Sequence, residues 1–312
     1  MNPRYMIIVL TLAAIVYGAF WSSLGTDAKR QTITTLENLR DKGMTVEYSA
    51  PTLGGFPYRM EITLENLSIK APAQGFMVDA KNVVLIGHPW KPNHWFLQTG
   101  TIKTNLLKGG LTFRSADTIT SLRLDQNDML NISLDLSNAT FNGRLTMGND
   151  LKGDTTEIHL KIPQTFTNTS DGLMEETRFN GAIRVANLKH NNIGLAHGTL
   201  DFSWQGKGPT KWNENALAAW RDAGGVLDVS RLSLLWGNSE LLADMDVSLD
   251  ESFYPLGAGS LKIKGDILDQ LKSVGVLKYL PDNTQGDLFL TAQFGTLSIN
   301  GTEVVSLPQI KP

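Results

Sequence analysis

Apolar and polar residues alternate over much of the chain. Leu130, Ile132, Leu134 and Leu136 are interleaved with Asn131, Ser133, Asp135 and Ser137. Successive side chains of an extended strand point to opposite faces, so this spacing predicts a strand with one apolar and one wet face. Ile158, Leu160 and Ile162 repeat the arrangement, as do Leu200, Phe202 and Trp204 set against Asp201, Ser203 and Gln205. Leu241, Ala243, Met245, Val247 and Leu249 form a further apolar face, and the opposite face of that stretch carries Asp244, Asp246 and Asp250. Met60, Ile62 and Leu64 share one face, whereas Leu67 and Ile69 fall on the other, which predicts a bulge or bend near Asn66. Near the C-terminus, Asn300-Gly301 between Ile299 and Val304 is the signal of a two-residue hairpin.

Helical spacing is confined to short stretches. Ile33, Leu36 and Leu39 lie on one face of an amphipathic helix that ends at Gly43, a residue suited to a C-terminal cap. Leu217 and Trp220 mark a second helix that stops at Gly224-Gly225, and an internal boundary is expected near residues 206–225. A third is expected from Asp266 as N-cap through Leu280, with Ile267, Leu271 and Val274 as its stripe and Pro281 as its stop. Roughly a dozen one-faced strands against about three short helices predict an all-β, mainly antiparallel fold, built as a curled sheet or a sandwich or clam. Whether its interior is a groove or a filled core does not follow from the alternation.

One stretch departs from both patterns. Tyr5 to Leu24 lies within a run that holds no charged residue between Arg4 and Asp27. About 20 residues at 1.5 Å rise cover the roughly 30 Å hydrocarbon core of a bilayer, so the run predicts one N-terminal transmembrane helix. Tyr5, Tyr17 and Trp21 stand near its ends, where amphipathic rings favour the interface. The alternative is a signal peptide with Ser23 and Gly25 as its cleavage pair. Both readings export the remainder. The expected organisation is an anchor at residues 1–26, an amphipathic helix at 27–43 and a β-rich periplasmic domain at 44–312.

Composition narrows the chemistry. A formal charge of -3 offers no basic footprint, so nucleic acid is excluded as a partner. With no cysteine there is no disulfide framework, thiolate metal site or cysteine nucleophile. His88 and His94 share a loop without an obvious third ligand, and the aspartates from Asp244 to Asp250 line one wet strand face. No nucleophile elbow or phosphate-loop fingerprint occurs. The expectation is therefore no enzyme, no metal and no cofactor. Five residues are candidates for lipid contact. Phe56, Tyr58 and Arg59 stand in the turn Gly55-Phe56-Pro57-Tyr58-Arg59, which reads either as a recognition lip or as a rigid turn entering a strand, and Leu134 and Met245 stand on apolar strand faces.

Three stretches carry a family resemblance: Gly55 to Arg59, the loop from Pro89 to Trp95, and the closing strands from Leu232 to Gly265 with Gly295 to Pro312. On these the chain resembles an uncharacterised family of exported bacterial proteins, domain of unknown function 2125, similar in style to AsmA-like envelope proteins. The resemblance implies a Gram-negative periplasmic setting with no established activity, and the AsmA-like relatives suggest lipid handling across the envelope; with the apolar run as anchor, the expected location is the inner membrane. The chain is far shorter than the bridge-forming AsmA-like members. Two functions are expected from these readings: binding of lipid or another amphipathic envelope component in an apolar groove, or service as a non-enzymatic scaffold for an envelope protein partner.

Overall fold

The computed structural model describes residues 3–72, 75–106, 111–125, 129–143, 150–163, 179–190, 193–206, 214–273 and 286–310. The chain divides into two compact units, Met1–Leu124 with Leu134–Asp150, and Asp125–Ser133 with Leu151–Pro312. Both are built on antiparallel sheet, as the alternation predicts.

The first unit begins with α1 (Pro3–Asp41) and continues through β1 (Thr45–Glu47), β2 (Thr52–Gly54), β3 (Met60–Ala71), β4 (Phe76–His88), β5 (Lys91–Thr99), β6 (Ile102–Leu106), β7 (Leu111–Ser115) and β8 (Asp117–Leu124). It also takes Leu134 onward from β9 (Met129–Gly143). The predicted anchor and the predicted amphipathic helix are thus one helix without a break, because no residue between Leu24 and Asp27 stops it. α1 is long and apolar enough to cross a membrane. Its two halves differ in burial. Tyr5 to Val16 is exposed on every side, whereas Trp21, Gly25 and Leu36 are buried. Leu36 packs with Val46, Leu64, Ala80 and Val83, so the C-terminal half of α1 covers this unit's apolar sheet face. Gly43, at φ +85°, ends the helix by donating to the Arg40 carbonyl at 2.8 Å, and Met44 donates to Leu39 at 3.1 Å.

The phase change predicted near Asn66 is present, and it is shared between strands. Asn66 has φ 53°, Leu64 and Leu67 lie in the same apolar cluster, and β3 stays in register with β4 from Glu65↔Asn82 to Leu67↔Ala80. β4 changes phase with it, since Ala80 and Val83 are both buried. At the same level, β5 and β6 form one line broken at residues 100–101, where Gly100 donates to the Asn82 carbonyl. β7 and β8 break at Ala116, which donates to the Ser137 carbonyl beside Asn138 at φ 50°. A single crease therefore crosses neighbouring strands, each shifting its apolar face where the next one does.

The second unit starts with the N-terminal residues of β9. It continues with β10 (Leu151–Pro163), β11 (Phe179–His190), β12 (Ile193–Gln205), α2 (Glu214–Asp222), β13 (Val226–Trp236), β14 (Ser239–Leu249) and β15 (Pro255–Lys264). α3 (Ile267–Ser273), β16 (Gly286–Gln293), β17 (Thr296–Ile299) and β18 (Thr302–Ser306) complete it. From β10 to β18 each strand pairs antiparallel with the next, a plain meander. α2, near which the sequence suggests an internal boundary, lies inside this unit. α3 is described as far as Ser273, and the expected continuation to Leu280 falls outside the described residues. Asn300 and Gly301, at φ 48° and 78°, make the predicted tight hairpin between β17 and β18.

Candidate functional site

The apolar side chains of the second unit converge on one sheet face. At one end α3 closes it: Ile267 and Leu268 pack with Leu241, Leu261, Ile263, Leu288, Leu290, Ile299 and Val304. At the other end α2 closes it, Leu217 and Trp220 packing with Leu249, Trp204 and Phe253. Leu241 and Leu249 occupy the two ends of β14, roughly 26 Å apart at about 3.3 Å per residue. Between the two caps no helix covers the strands among the described residues. There a groove of about 410 Å³ runs over β11 to β17, lined by Ile183, Leu200, Leu234, Leu261, Leu290 and Ile299 among others, with Thr199 and Ser233 as its polar members. Its volume falls within the roughly 300–1,000 Å³ usual for small-molecule sites.

Polar chemistry at the groove's closed end is structural. Ser239 donates to Asp266 Oδ1 at 2.5 Å, and the Asp266 amide donates back to Ser239 Oγ at 3.1 Å. This reciprocal pair fixes the entry into α3. The Ser239 hydroxyl, then the backbone amide, hold the Asp266 carboxyl below its ordinary range. On the opposite face of β14, Asp244 accepts a hydrogen bond from Ser260, while Asp250 accepts from the amides of Ser252 and Tyr254 and so organises the β14–β15 turn. His94 bonds Ser121 and His88 lies against the Tyr58 carbonyl. Burial, then the charges of Arg123 and Lys91, push the His94 imidazole below its ordinary value. Among the described residues no group of three or more metal-ligating side chains comes together.

In the first unit a smaller pocket of about 350 Å³ lies beneath α1, between Ala28, Thr32 and Thr35 of the helix and Leu67, Leu85 and Leu97 of the sheet. Nearby, the turn from Gly55 to Arg59 is seated on α1. Tyr17 Oη donates to the Pro57 carbonyl at 2.5 Å and Trp21 Nε1 to the Arg59 carbonyl at 3.0 Å. The Phe56 ring stands 5.3 Å from Trp21, edge to face, and 6.2 Å from Tyr17. Gly55 is required here, for at φ +90° a Cβ would come within 2.6 Å of the Arg59 carbonyl oxygen.

The structure brings three of the five candidate residues together and places the other two on separate strands. Phe56, Tyr58 and Arg59 share the turn on α1, with Arg59 paired to Glu61 at 2.6 Å. Leu134 is half-buried in β9 of the first unit. Met245 is half-buried in β14, opposite Val229 and Gly259, outside the residues that line the groove. Ile183, Val185, Leu188 and Leu234 were not singled out from the sequence, whereas Leu200, Leu241 and Ala243 were visible as members of alternating stretches. Their assembly was not, because it depends on which strands become neighbours.

A family model described as an uncharacterised protein conserved in bacteria matches residues 21–298. No curated protein and no solved structure matches the chain.

Proposed function

The chain belongs to this uncharacterised bacterial family, domain of unknown function 2125, and we propose that it is a membrane-anchored protein that holds a lipid or similar amphipathic envelope component in the groove of its second unit. In this reading α1 spans the inner membrane and the β-rich region lies in the periplasm. The activity is carriage without catalysis. The observation that carries it is the stretch between α2 and α3 that no helix covers among the described residues, where Ile183, Leu200, Leu232 and Leu234 line the groove although the same face is packed at both ends. Burying apolar surface is worth about 25 cal/mol per Å², so an acyl chain laid along this face gains what a missing layer of protein would have supplied.

Adjacent residues of β13 provide the test. Leu234 lines the groove, whereas Leu235 projects from the other face of the strand and is exposed. A photo-reactive p-benzoylphenylalanine is placed at either position in the full-length protein, and cells are irradiated before purification. The expected result is a lipid adduct, seen by mass spectrometry, at position 234 and none at 235. Absence of lipid at 234, with a cross-linked protein in its place, would replace this reading with that of a scaffold for an envelope protein partner.

A further inference from the structure

The corner of the first unit that meets α1 carries three exposed aromatic rings. Phe56 is 58% exposed, Tyr58 74% and Trp90 58%. They are brought together by two turns. His88 Nδ1 lies 3.3 Å from the Tyr58 carbonyl, and Trp90, in the turn between β4 and β5, stacks on the His88 ring at 5.4 Å. This cluster sits beside Tyr17 and Trp21 of α1, through the contacts of Phe56, Pro57 and Arg59.

Its level along the helix gives it a meaning. Arg4 is the last charge before the apolar run, and at 1.5 Å per residue Tyr17 lies about 20 Å and Trp21 about 26 Å beyond it. A hydrocarbon core of roughly 30 Å that begins near Arg4 therefore ends beyond Trp21. The turn seated on Tyr17 and Trp21 is placed at the depth of the far leaflet and its headgroup boundary.

Backbone in that environment needs every polar group satisfied, since no water is there to replace a lost partner. Four carbonyls of the turn meet this demand. The Gly55 carbonyl accepts from the Arg59 amide at 3.1 Å, the Pro57 carbonyl from Tyr17, the Arg59 carbonyl from Trp21, and the Tyr58 carbonyl from His88 in the tautomer that carries its proton on Nδ1. Pro57 has no amide hydrogen to satisfy. Arg59, the one cation of the turn, is neutralised by Glu61.

We infer that the Gly55–Arg59 turn and the Pro89–Trp90 corner form an aromatic foot that inserts into the bilayer leaflet from which α1 emerges, fixing the first unit directly on the membrane surface. This rests on the reading of α1 as a membrane span. Tyrosine and tryptophan rings at a membrane interface keep an apolar body in the acyl region and a polar edge at the headgroups, which is the chemistry these side chains present.

The chain's lack of cysteine allows single labels. Val9→Cys, Tyr58→Cys and Lys42→Cys report on the span, the foot and the solvated end of α1. Each full-length variant is labelled with an environment-sensitive fluorophore and reconstituted into vesicles of phosphatidylethanolamine and phosphatidylglycerol. The fluorophore is then challenged with aqueous iodide or with a lipid carrying a nitroxide near its headgroup. The expected result is a blue-shifted emission at Tyr58→Cys, quenched by the lipid nitroxide and protected from iodide, while Lys42→Cys is quenched by iodide alone. If Tyr58→Cys behaves as Lys42→Cys while Val9→Cys stays protected from iodide, the foot is overturned and the anchor stands. If Val9→Cys is itself open to iodide, the anchor reading fails and the foot with it. Trp90→Cys repeats the measurement from the second turn, so a local disturbance at one site does not decide the outcome.

Discussion

Trp204 and Trp220 stack with ring centroids 4.4 Å apart and planes 25° from parallel, joining the end of β12 to α2. Trp220 is 3% exposed and donates its Nε1 hydrogen to the Gln205 carbonyl at 2.8 Å. The pair closes one end of the groove, so its loss reaches beyond α2 itself. Trp220→Ala is expected to lower stability by about 3–5 kcal/mol, the usual cost of truncating a buried large aromatic. Urea unfolding followed by near-ultraviolet circular dichroism measures it, and Trp220→Phe is expected to recover most of the packing without the hydrogen bond.

A pH effect is expected at the other end of the groove. Asp266 has its carboxyl held below the ordinary value of 3.8 by Ser239 and by its own backbone amide. A carboxyl whose folded value is depressed contributes stability that is fully present above the unfolded value and is lost as pH falls through the folded one. Wild-type stability should therefore fall more steeply than that of Ser239→Ala as pH drops below about 4. Thermal unfolding of the two proteins across that range checks it, and parallel curves would remove the Ser239–Asp266 pair as the cause.

Filling the groove should separate binding from folding. Leu234 is half-buried and lines the groove, so Leu234→Trp adds an aromatic ring toward that space. The expected outcome is reduced lipid recovered by organic extraction of the purified full-length protein, at an unchanged melting temperature. A charge at the same position, Leu234→Asp, should reduce lipid further, because an unpaired carboxylate against apolar surface is costly.

The hairpin between β17 and β18 offers a check on local conformation. Gly301 sits at φ 78° with open space around its α-carbon, so Gly301→Ala meets no steric neighbour and its cost is that of the left-handed backbone, about 1–2 kcal/mol. Asn300 at φ 48° tolerates this region better, and its side-chain oxygen also accepts from the Phe289 amide at 2.8 Å. Differential scanning calorimetry of Gly301→Ala and Asn300→Ala should show a lowered melting temperature for both.

Local features were open to reading because their physics is local. The alternation through β14 follows from the two-residue repeat of an extended chain, and the stop at Gly43 and the turn at Asn300-Gly301 follow from which residues accept a left-handed backbone. The length of the uncharged run from Tyr5 likewise needs only a helical rise and the thickness of a bilayer. The union of the anchor with the amphipathic helix was less legible, since two patterns with different solvent partners meet at Gly25 to Asp27 without any stop residue.

What the sequence by itself determined is the strand-rich character of the chain, the sites of its caps and turns, and the single apolar helix at its start. These depend on periods of 2 and 3.6 residues and on backbone preferences that neighbours in space scarcely alter. Only the tertiary structure decided that Ile183, Leu200, Leu234 and Ile299 line one groove while Met245 does not, and that Tyr17 and Trp21 supply donors to carbonyls near residue 58. Those relations join residues far apart in the chain. Each is selected by the order in which strands pair and by which helix covers which face, and the energy of that choice is shared among many residues at once.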